Sequence, residues 1–326
     1  MKVAYREIYG TPEVIKITDK PIPKIRENEV LIKIYAVSVN RTDLGYLKGE
    51  PKIVRLFSGL FEPKSKILGC EFAGKITEIG TKVTKFKVGD EVFGFDDQNF
   101  GAYAEYKSIN ENANICIRPQ NFSFIQSAAL SEAIHYAFSS IKAAKINEHS
   151  KVIVNGGTGA IGSAIIQFCK YYGASLSIVC ESKYFHLMEK YKPEELINYK
   201  SQDFTQLELK DETQKYDVVF DAVGKSEFRF SKNILKQNGI YISTELGDKN
   251  QNPFLALAHK FKSGKKIIFP IPEQTPSQLH FFKTLAENND FEPLIDRIIK
   301  FDDIVENLVY ADSGQKIGNI IIDMRL

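Results

Sequence analysis

KVIVNGGTGAIG, Lys151–Gly162, decides the fold. Lys151–Asn155 is a short apolar run of strand character, Gly156, Gly159 and Gly162 follow three apart, and Ile161–Tyr172 repeats apolar residues at helical spacing before stopping at Gly173. A strand, a glycine turn and a helix in that order match a dinucleotide-binding turn. There the first glycine permits the tight turn, the second lets the backbone approach a pyrophosphate, and the third lets the helix pack closely on the strand. The helix N-terminus then presents free N–H groups and a partial positive charge to phosphate. Gly156, Thr158, Gly159, Ala160, Ile161 and Gly162 are therefore candidate cofactor contacts. Purely structural turns use glycines too, and it is the flanking strand and helix that favour the ligand reading.

Outward from this stretch, Leu176–Cys180, Tyr216–Ala222, Gly239–Thr244 and Lys266–Phe269 read as further strands, with helical patterns at Ser127–Ala144 and Phe228–Lys236. Alternating strands and helices predict right-handed crossovers and a parallel sheet covered on both faces. Before about residue 123 the rhythm differs. Val30–Ala36, Phe72–Ile79 and Glu91–Phe95 alternate apolar and polar residues between turns at Gly69, Gly80, Gly89-Asp90 and Gly94, the pattern of short antiparallel strands. After the FPIPEQTP turn, the tail offers helices at Ser277–Asn288 and Asp302–Tyr310 and a last strand at Asn319–Asp323. Pattern alone leaves open which domain this tail joins.

With 326 residues, 43% of them hydrophobic and 26% charged, the chain is long enough for two domains with a large apolar interior. A net charge of +2 with both signs interspersed favours neither nucleic acid nor an anionic membrane as partner. The start MKVAYREIYG has no apolar stretch of signal-peptide length, and no run reaches the roughly 18 apolar residues of a membrane span. A cytoplasmic protein is expected. Cys70, Cys116, Cys169 and Cys180 lie far apart without CxxC spacing and read as reduced thiols.

YGTPEVIKI, VSVNRTD, GCEFAGKITEIGTKV, FKVGDEVFG, GAYAEY, NGGTGAIG, YDVVFDAVG, STELG and SGQKIGNIIID occur in the order found in medium-chain dehydrogenase/reductases, and the chain resembles their quinone-oxidoreductase-like branch over nearly its whole length. The resemblance implies an α/β protein: a GroES-like, mainly β catalytic domain from residues 1–122 and 271–326, and a Rossmann doubly wound parallel-sheet domain from 123–270. It also implies a catalytic cleft between the domains, and a homodimer in which strand Lys266–Phe269 joins a sheet edge.

The same resemblance implies a nicotinamide cofactor. After the second strand, Glu181 suits the ribose hydroxyls of NADH, whereas Ser182 and Lys183 suit the 2′-phosphate of NADPH. NADPH is the expected cofactor, with NADH left open by Glu181. Glu181 and Lys183 can also be read as charges that only flank a helix start. By resemblance, Tyr199 lines the adenosine phosphate, Val223 and Gly224 end one strand near the cofactor, and Leu246 ends the next; each can equally be a packing residue.

Zinc-dependent alcohol dehydrogenases of this superfamily place ligands at positions resembling Asn40, Cys70 and about Leu130. An amide and an aliphatic side chain cannot replace two zinc ligands, so no zinc is expected. Without a Lewis acid, the expected reaction is hydride transfer to a quinone or to an activated alkene, an α,β-unsaturated carbonyl, with the small-molecule acceptor as partner. Asn40 is the candidate polar group near the acceptor, or else an amide satisfying a turn. Tyr46 is a candidate proton donor or a packing tyrosine, and Asp43 reads as a turn or cap residue. Glu132, His135 and Tyr136 replace an apolar stretch of the relatives. Residues 132 and 135 share a helix face, so a Glu-tuned His135 or a Tyr136 donor stands beside a structural reading of both. Reduction of 2-enoyl thioesters and non-catalytic dinucleotide binding are the alternatives.

Overall fold

The computed structural model describes residues 1–260, 263–272 and 275–326; residues 261 and 262 of the expected 123–270 domain, and 273 and 274 of the FPIPEQTP turn, lie outside them. By packing, the chain divides into a first unit, Met1–Glu132 with the C-terminal segment that ends at Leu326, and a second unit that begins at Ala133.

The first unit is antiparallel in the main. Its strands are β1 (Lys2–Tyr5), β2 (Lys16–Asp19), β3 (Glu29–Val39), β4 (Glu71–Ile79), β5 (Glu91–Phe95), β6 (Tyr106–Asn110) and β7 (Ile115–Ile117). The second unit supplies β8 (Lys151–Asn155), β9 (Ser175–Cys180), β10 (Glu195–Asn198), β11 (Tyr216–Asp221), β12 (Leu235–Ser243) and β13 (Lys266–Ile268), and the tail returns with β14 (Ile295–Ile299) and β15 (Asn319–Asp323). Strand β3 organises the first unit because it is long enough to use one edge twice: Glu29–Lys33 pair with β6 and Ala36–Val39 with β15, while the opposite edge pairs with β4. Ile320, Ile321 and Ile322 of β15 are fully buried. The tail therefore completes the first unit's core, in which Ile32, Ile34, Val37, Phe72, Val92 and Ile304 also pack.

In the second unit the strands run parallel in the order β10-β9-β8-β11-β12-β13. Val152, Ile153 and Val154 of β8 are fully buried, as a strand central to a covered parallel sheet must be. Crossing from β8 to β9 is the helix Ala160–Tyr171, stopped by Gly173 in the left-handed region at φ 74°.

Three segments differ from the sequence reading. Ser127–Ala144 is not one helix but two, Phe124–Ser127 and Glu132–Ala144. Ser123 and Gln126 form a capping box on the first, and the carboxylate of Glu71 accepts the N–H groups of Ser131 (2.7 Å) and Glu132 (2.9 Å), which starts the second. Phe228–Lys236 is helical only over Phe228–Ser231, because β12 begins at Leu235 and takes its remainder. Helix Arg41–Lys48, capped by Asn40, was read from the sequence only as a turn or cap at Asn40 and Asp43 before a short helix, without its extent.

Candidate active site

The glycine turn between β8 and the following helix has the expected form. Gly156 has φ 83°, and a Cβ there would lie 2.0 Å from Val223 Cγ2; a Cβ on Gly162 would lie 2.1 Å from the Gly156 carbonyl oxygen. These two glycines are required by the protein's own packing. Gly159 is different: its Cβ would meet nothing closer than 3.3 Å, so its smallness serves what approaches the turn from outside. Gly159 is also the helix N-cap, no side chain caps that terminus, and Thr158, Ala160 and Ile161 are partly exposed beside it. The open N-terminus and the bare backbone fit a pyrophosphate, so the turn can hold a dinucleotide.

At the end of β9, Glu181 is held by two lysines: Lys200 Nζ at 2.6 Å and Lys183 Nζ at 3.2 Å. The contact with Lys200, then burial opposing it, then Lys183, set its acidity, and the net effect lowers its pKa. Ser182 accepts a hydrogen bond from Asn198 Nδ2 at 3.3 Å, and Tyr199 stands exposed next to Lys200. Sequence reasoning singled out Ser182, Lys183 and Tyr199 and missed Lys200; the signal was its place in INYK, directly after the strand that pairs with β9.

The loop after β11 is organised by Asp221, which is 1% exposed. Its Oδ1 accepts from Asn155 Nδ2 and from the N–H groups of Val223 and Gly224, and its Oδ2 from the Ser226 N–H and the Tyr241 hydroxyl. Val223 and Gly224 are thereby fixed against the glycine turn. Leu246, half-buried after β12, accepts the Asn252 N–H at its carbonyl at 2.9 Å.

The first unit contains a buried polar centre. Asn40 is 2% exposed and both ends of its amide are engaged: Oδ1 accepts the Asp43 N–H at 3.0 Å, while Nδ2 donates to Ser38 Oγ and to Cys70 Sγ, each at 3.2 Å. Asp43 accepts the Gly69 N–H (2.9 Å) and the Tyr103 hydroxyl (2.8 Å), and Glu71 accepts the Ser38 hydroxyl at 2.6 Å besides Ser131 and Glu132. Glu132, 5% exposed, accepts the hydroxyl of half-buried Thr42 at 2.6 Å. Burial pushes the Asp43 carboxyl up to about 7, and burial with the neighbouring Glu132 pushes Glu71 up to about 7. Burial likewise raises Glu132, opposed by Thr42 and by the charge of Lys316, and raises the Cys70 thiol well above its ordinary range.

Leu130 is a fully buried core residue, and Glu132, two residues on, lies beside Thr42 and Glu71. The residues present do not fit a zinc ion. Asn40 turns its donating nitrogen, not its oxygen, toward Cys70, and an amide nitrogen is not a zinc ligand. Tyr46 packs its ring on Phe100 (centroids 4.5 Å apart), which supports its packing reading. In the second unit, His135 is 4% exposed, and its ring stands edge-on to that of half-buried Tyr136 at 5.9 Å.

Residues 26–121 match the family described as Alcohol dehydrogenase GroES-like domain, and residues 193–322 the family described as Zinc-binding dehydrogenase, a stretch that includes none of Asn40, Cys70 and Glu132. The 2-methylene-furan-3-one reductase of Solanum lycopersicum is 26% identical across 96% of this chain and 76% of that protein. The chloroplastic NADPH-dependent alkenal/one oxidoreductase of Arabidopsis thaliana is 27% identical, covering 83% and 80%. The solved structure of the quinone oxidoreductase from Coxiella burnetii shares the fold with a TM-score of 0.87 at 24% identity, covering 100% of this chain and 99% of the other. A GroES-like unit completed by the C-terminal strand, a parallel sheet carrying the glycine turn, and relatives that span the chain together show that it belongs to the medium-chain dehydrogenase/reductase superfamily.

Proposed function

We propose that the protein is an NADPH-dependent oxidoreductase that delivers hydride to a quinone or an activated alkene and works without zinc. The observation that carries this reading is the pairing of Glu181 with both Lys183 and Lys200. A lone carboxylate at the end of β9 would repel a 2′-phosphate. Two ammonium groups around it leave a net positive corner, to which Ser182 and Tyr199 add hydroxyls. Relatives named for NADPH-dependent reduction of alkenals and for reduction of a methylene-furanone support the acceptor class.

When bound, the nicotinamide supplies the hydride. The chain's own residues do the rest. The glycine turn and its helix N-terminus hold the pyrophosphate, and Lys183 and Lys200 select the phosphorylated ribose. Absence of zinc is supported by the donor chemistry of Asn40, whose amide nitrogen faces Cys70. A homodimer through the edge strand β13 and a cytoplasmic location belong to the same proposal.

Titration with NADPH and NADH, followed by nicotinamide fluorescence, tests it. NADPH should bind about tenfold more tightly and be consumed with quinones or enones. Tighter NADH binding would assign Glu181 to the ribose hydroxyls, consumption with enoyl thioesters alone would narrow the acceptor to that class, and cofactor that binds without being consumed would make this a non-catalytic dinucleotide-binding protein.

A further inference from the structure

Apart from the polar centre, one segment of the first unit turns its apolar side chains the wrong way. Lys52–Val54 and Arg55–Ser58 form consecutive helical turns, and Ile53, Leu56 and Phe57 fall three and four residues apart, on one side of them. That spacing ordinarily marks the face a helix buries. Here it meets solvent: Ile53, Leu56 and Leu60 are each more than half exposed, Phe57 is 72% exposed and Phe61 90%.

The side that meets the protein is polar instead. Ser58 is buried, and the Tyr9 hydroxyl lies 2.7 Å from its Oγ while donating to the Gly59 carbonyl at 2.6 Å. Arg55 Nε donates to the Gly49 carbonyl at 3.2 Å, and its guanidinium lies 4.7 Å from the centre of the Tyr9 ring. The Lys64 N–H closes the loop on the Ser58 carbonyl at 2.8 Å, and a Cβ on Gly59 would lie 2.0 Å from the Glu62 carbonyl oxygen. The tip with Leu60 and Phe61 is therefore tightly folded and tied down at its base, and its apolar side chains are held outward. Single exposed apolar residues need no explanation, but five large ones within nine residues mark an interaction surface.

We propose that this segment is an interfacial anchor that seats the first unit on an anionic lipid bilayer, with Phe57 and Phe61 at the acyl boundary and Lys52 and Lys64 among the headgroup phosphates. The inference goes beyond the oxidoreductase reading and stands without it. Residues 50–66 carry four cations against two acids, an excess as large as that of the whole chain, so the remaining residues balance to zero. The even mixing of charge that disfavours a membrane for the chain at large does not hold here. Of the two acids, Glu62 is paired with Lys66 at 3.0 Å, and only Glu50 is left to oppose a negative surface. The ammonium groups of Lys52 and Lys64 have no partner among the described residues. A bilayer with acidic headgroups offers negative charge and apolar depth side by side, and long lysine stems keep the ammonium at phosphate level while phenyl rings go deeper. Among the described residues no helix is long and apolar enough to cross a membrane, so the contact is peripheral.

The chain has no tryptophan, so F61W places a single fluorescent reporter at the tip. Vesicles of phosphatidylcholine with phosphatidylglycerol should shift its emission to the blue, and brominated acyl chains should quench it. In flotation, wild type should bind these vesicles about tenfold more tightly than phosphatidylcholine alone, and should lose that preference as salt rises to about 1 M. F57S combined with F61S should weaken binding to anionic vesicles by about tenfold. K52E combined with K64E should remove the preference for them, and both double variants should melt with wild type because the replaced side chains lie in solvent. Should the double serine variant melt early, K52E/K64E and F61W decide. Wild type that does not float, binding that ignores the charge of the lipid, or F57S/F61S that binds like wild type each overturns the proposal. An F61W blue shift that needs no vesicles and grows with protein concentration overturns it too, and assigns the face to a second copy of the chain.

Discussion

Asp221→Asn should weaken the nucleotide unit and both cofactors' binding alike. Asp221 Oδ1 accepts from Asn155 Nδ2 at 3.0 Å, the Val223 N–H at 3.2 Å and the Gly224 N–H at 3.0 Å; Oδ2 accepts from the Ser226 N–H at 3.2 Å and the Tyr241 hydroxyl at 2.9 Å. An amide keeps only one acceptor. With its oxygen at the Oδ1 place, its nitrogen faces Ser226 and Tyr241; the tyrosine hydroxyl can rotate and accept, but the Ser226 N–H cannot. One stranded buried donor costs about 1–3 kcal/mol, and weaker bonds at the remaining oxygen add about 1 kcal/mol. A loss of about 2–4 kcal/mol lowers the melting temperature of a unit this size by about 10 °C. Turning the amide the other way strands the Val223 and Gly224 donors and is worse. Because Val223 Cγ2 fills the space a Cβ on Gly156 would need, loosening this loop also loosens the pyrophosphate turn. Dissociation constants for NADPH and NADH should therefore both rise, by about tenfold. Calorimetry with fluorescence titration reads both effects. A variant that melts within about 2 °C of wild type and binds as tightly would refute the role given to Asp221.

Other substitutions separate the remaining parts of the argument. Lys200→Ala should raise the NADPH dissociation constant by about five- to tenfold, a modest figure because the ammonium is 56% exposed, and leave NADH within about twofold; equal losses for both cofactors would sink the 2′-phosphate assignment. Gly162→Ala places a methyl carbon 2.1 Å from the Gly156 oxygen, so it should cost about 1–3 kcal/mol of stability and abolish measurable cofactor binding; a normal titration curve would show that the turn yields more easily than its packing implies. Asp43 titrates at 3.8 in the unfolded reference and at about 7 when buried, so the folded state binds the extra proton. Its contribution is fully present below 3.8 and is lost as pH rises through about 7. Denaturation of wild type and Asp43→Asn across that window should show wild type losing stability relative to the variant, and a constant difference would contradict the burial account.

The nucleotide unit was legible because its signals are local: β8, the glycine turn and the helix Ala160–Tyr171 follow one another in sequence, and each is recognisable by its own periodicity or by glycine. The antiparallel strands β3, β4 and β5 were legible from alternation between glycine turns. What escaped depends on distant partners. The break between the helices Phe124–Ser127 and Glu132–Ala144 arises from Glu71, 60 residues away from Ser131 in the chain. Lys200 reaches Glu181 because β10 pairs in parallel with β9, and no periodicity in the sequence announces that register. Spacing alone likewise cannot fix where the helix Glu132–Ala144 begins when its first N–H groups are capped from another strand.

Each buried polar group of the polar centre must find a partner or destabilise the protein. Asn40 meets this requirement by bonding to Ser38, Cys70 and the Asp43 N–H, so its amide is structural. Cys70, beside it, is kept a thiol by the same burial. Glu132 meets the same requirement through the Thr42 hydroxyl, which donates to its carboxylate at 2.6 Å.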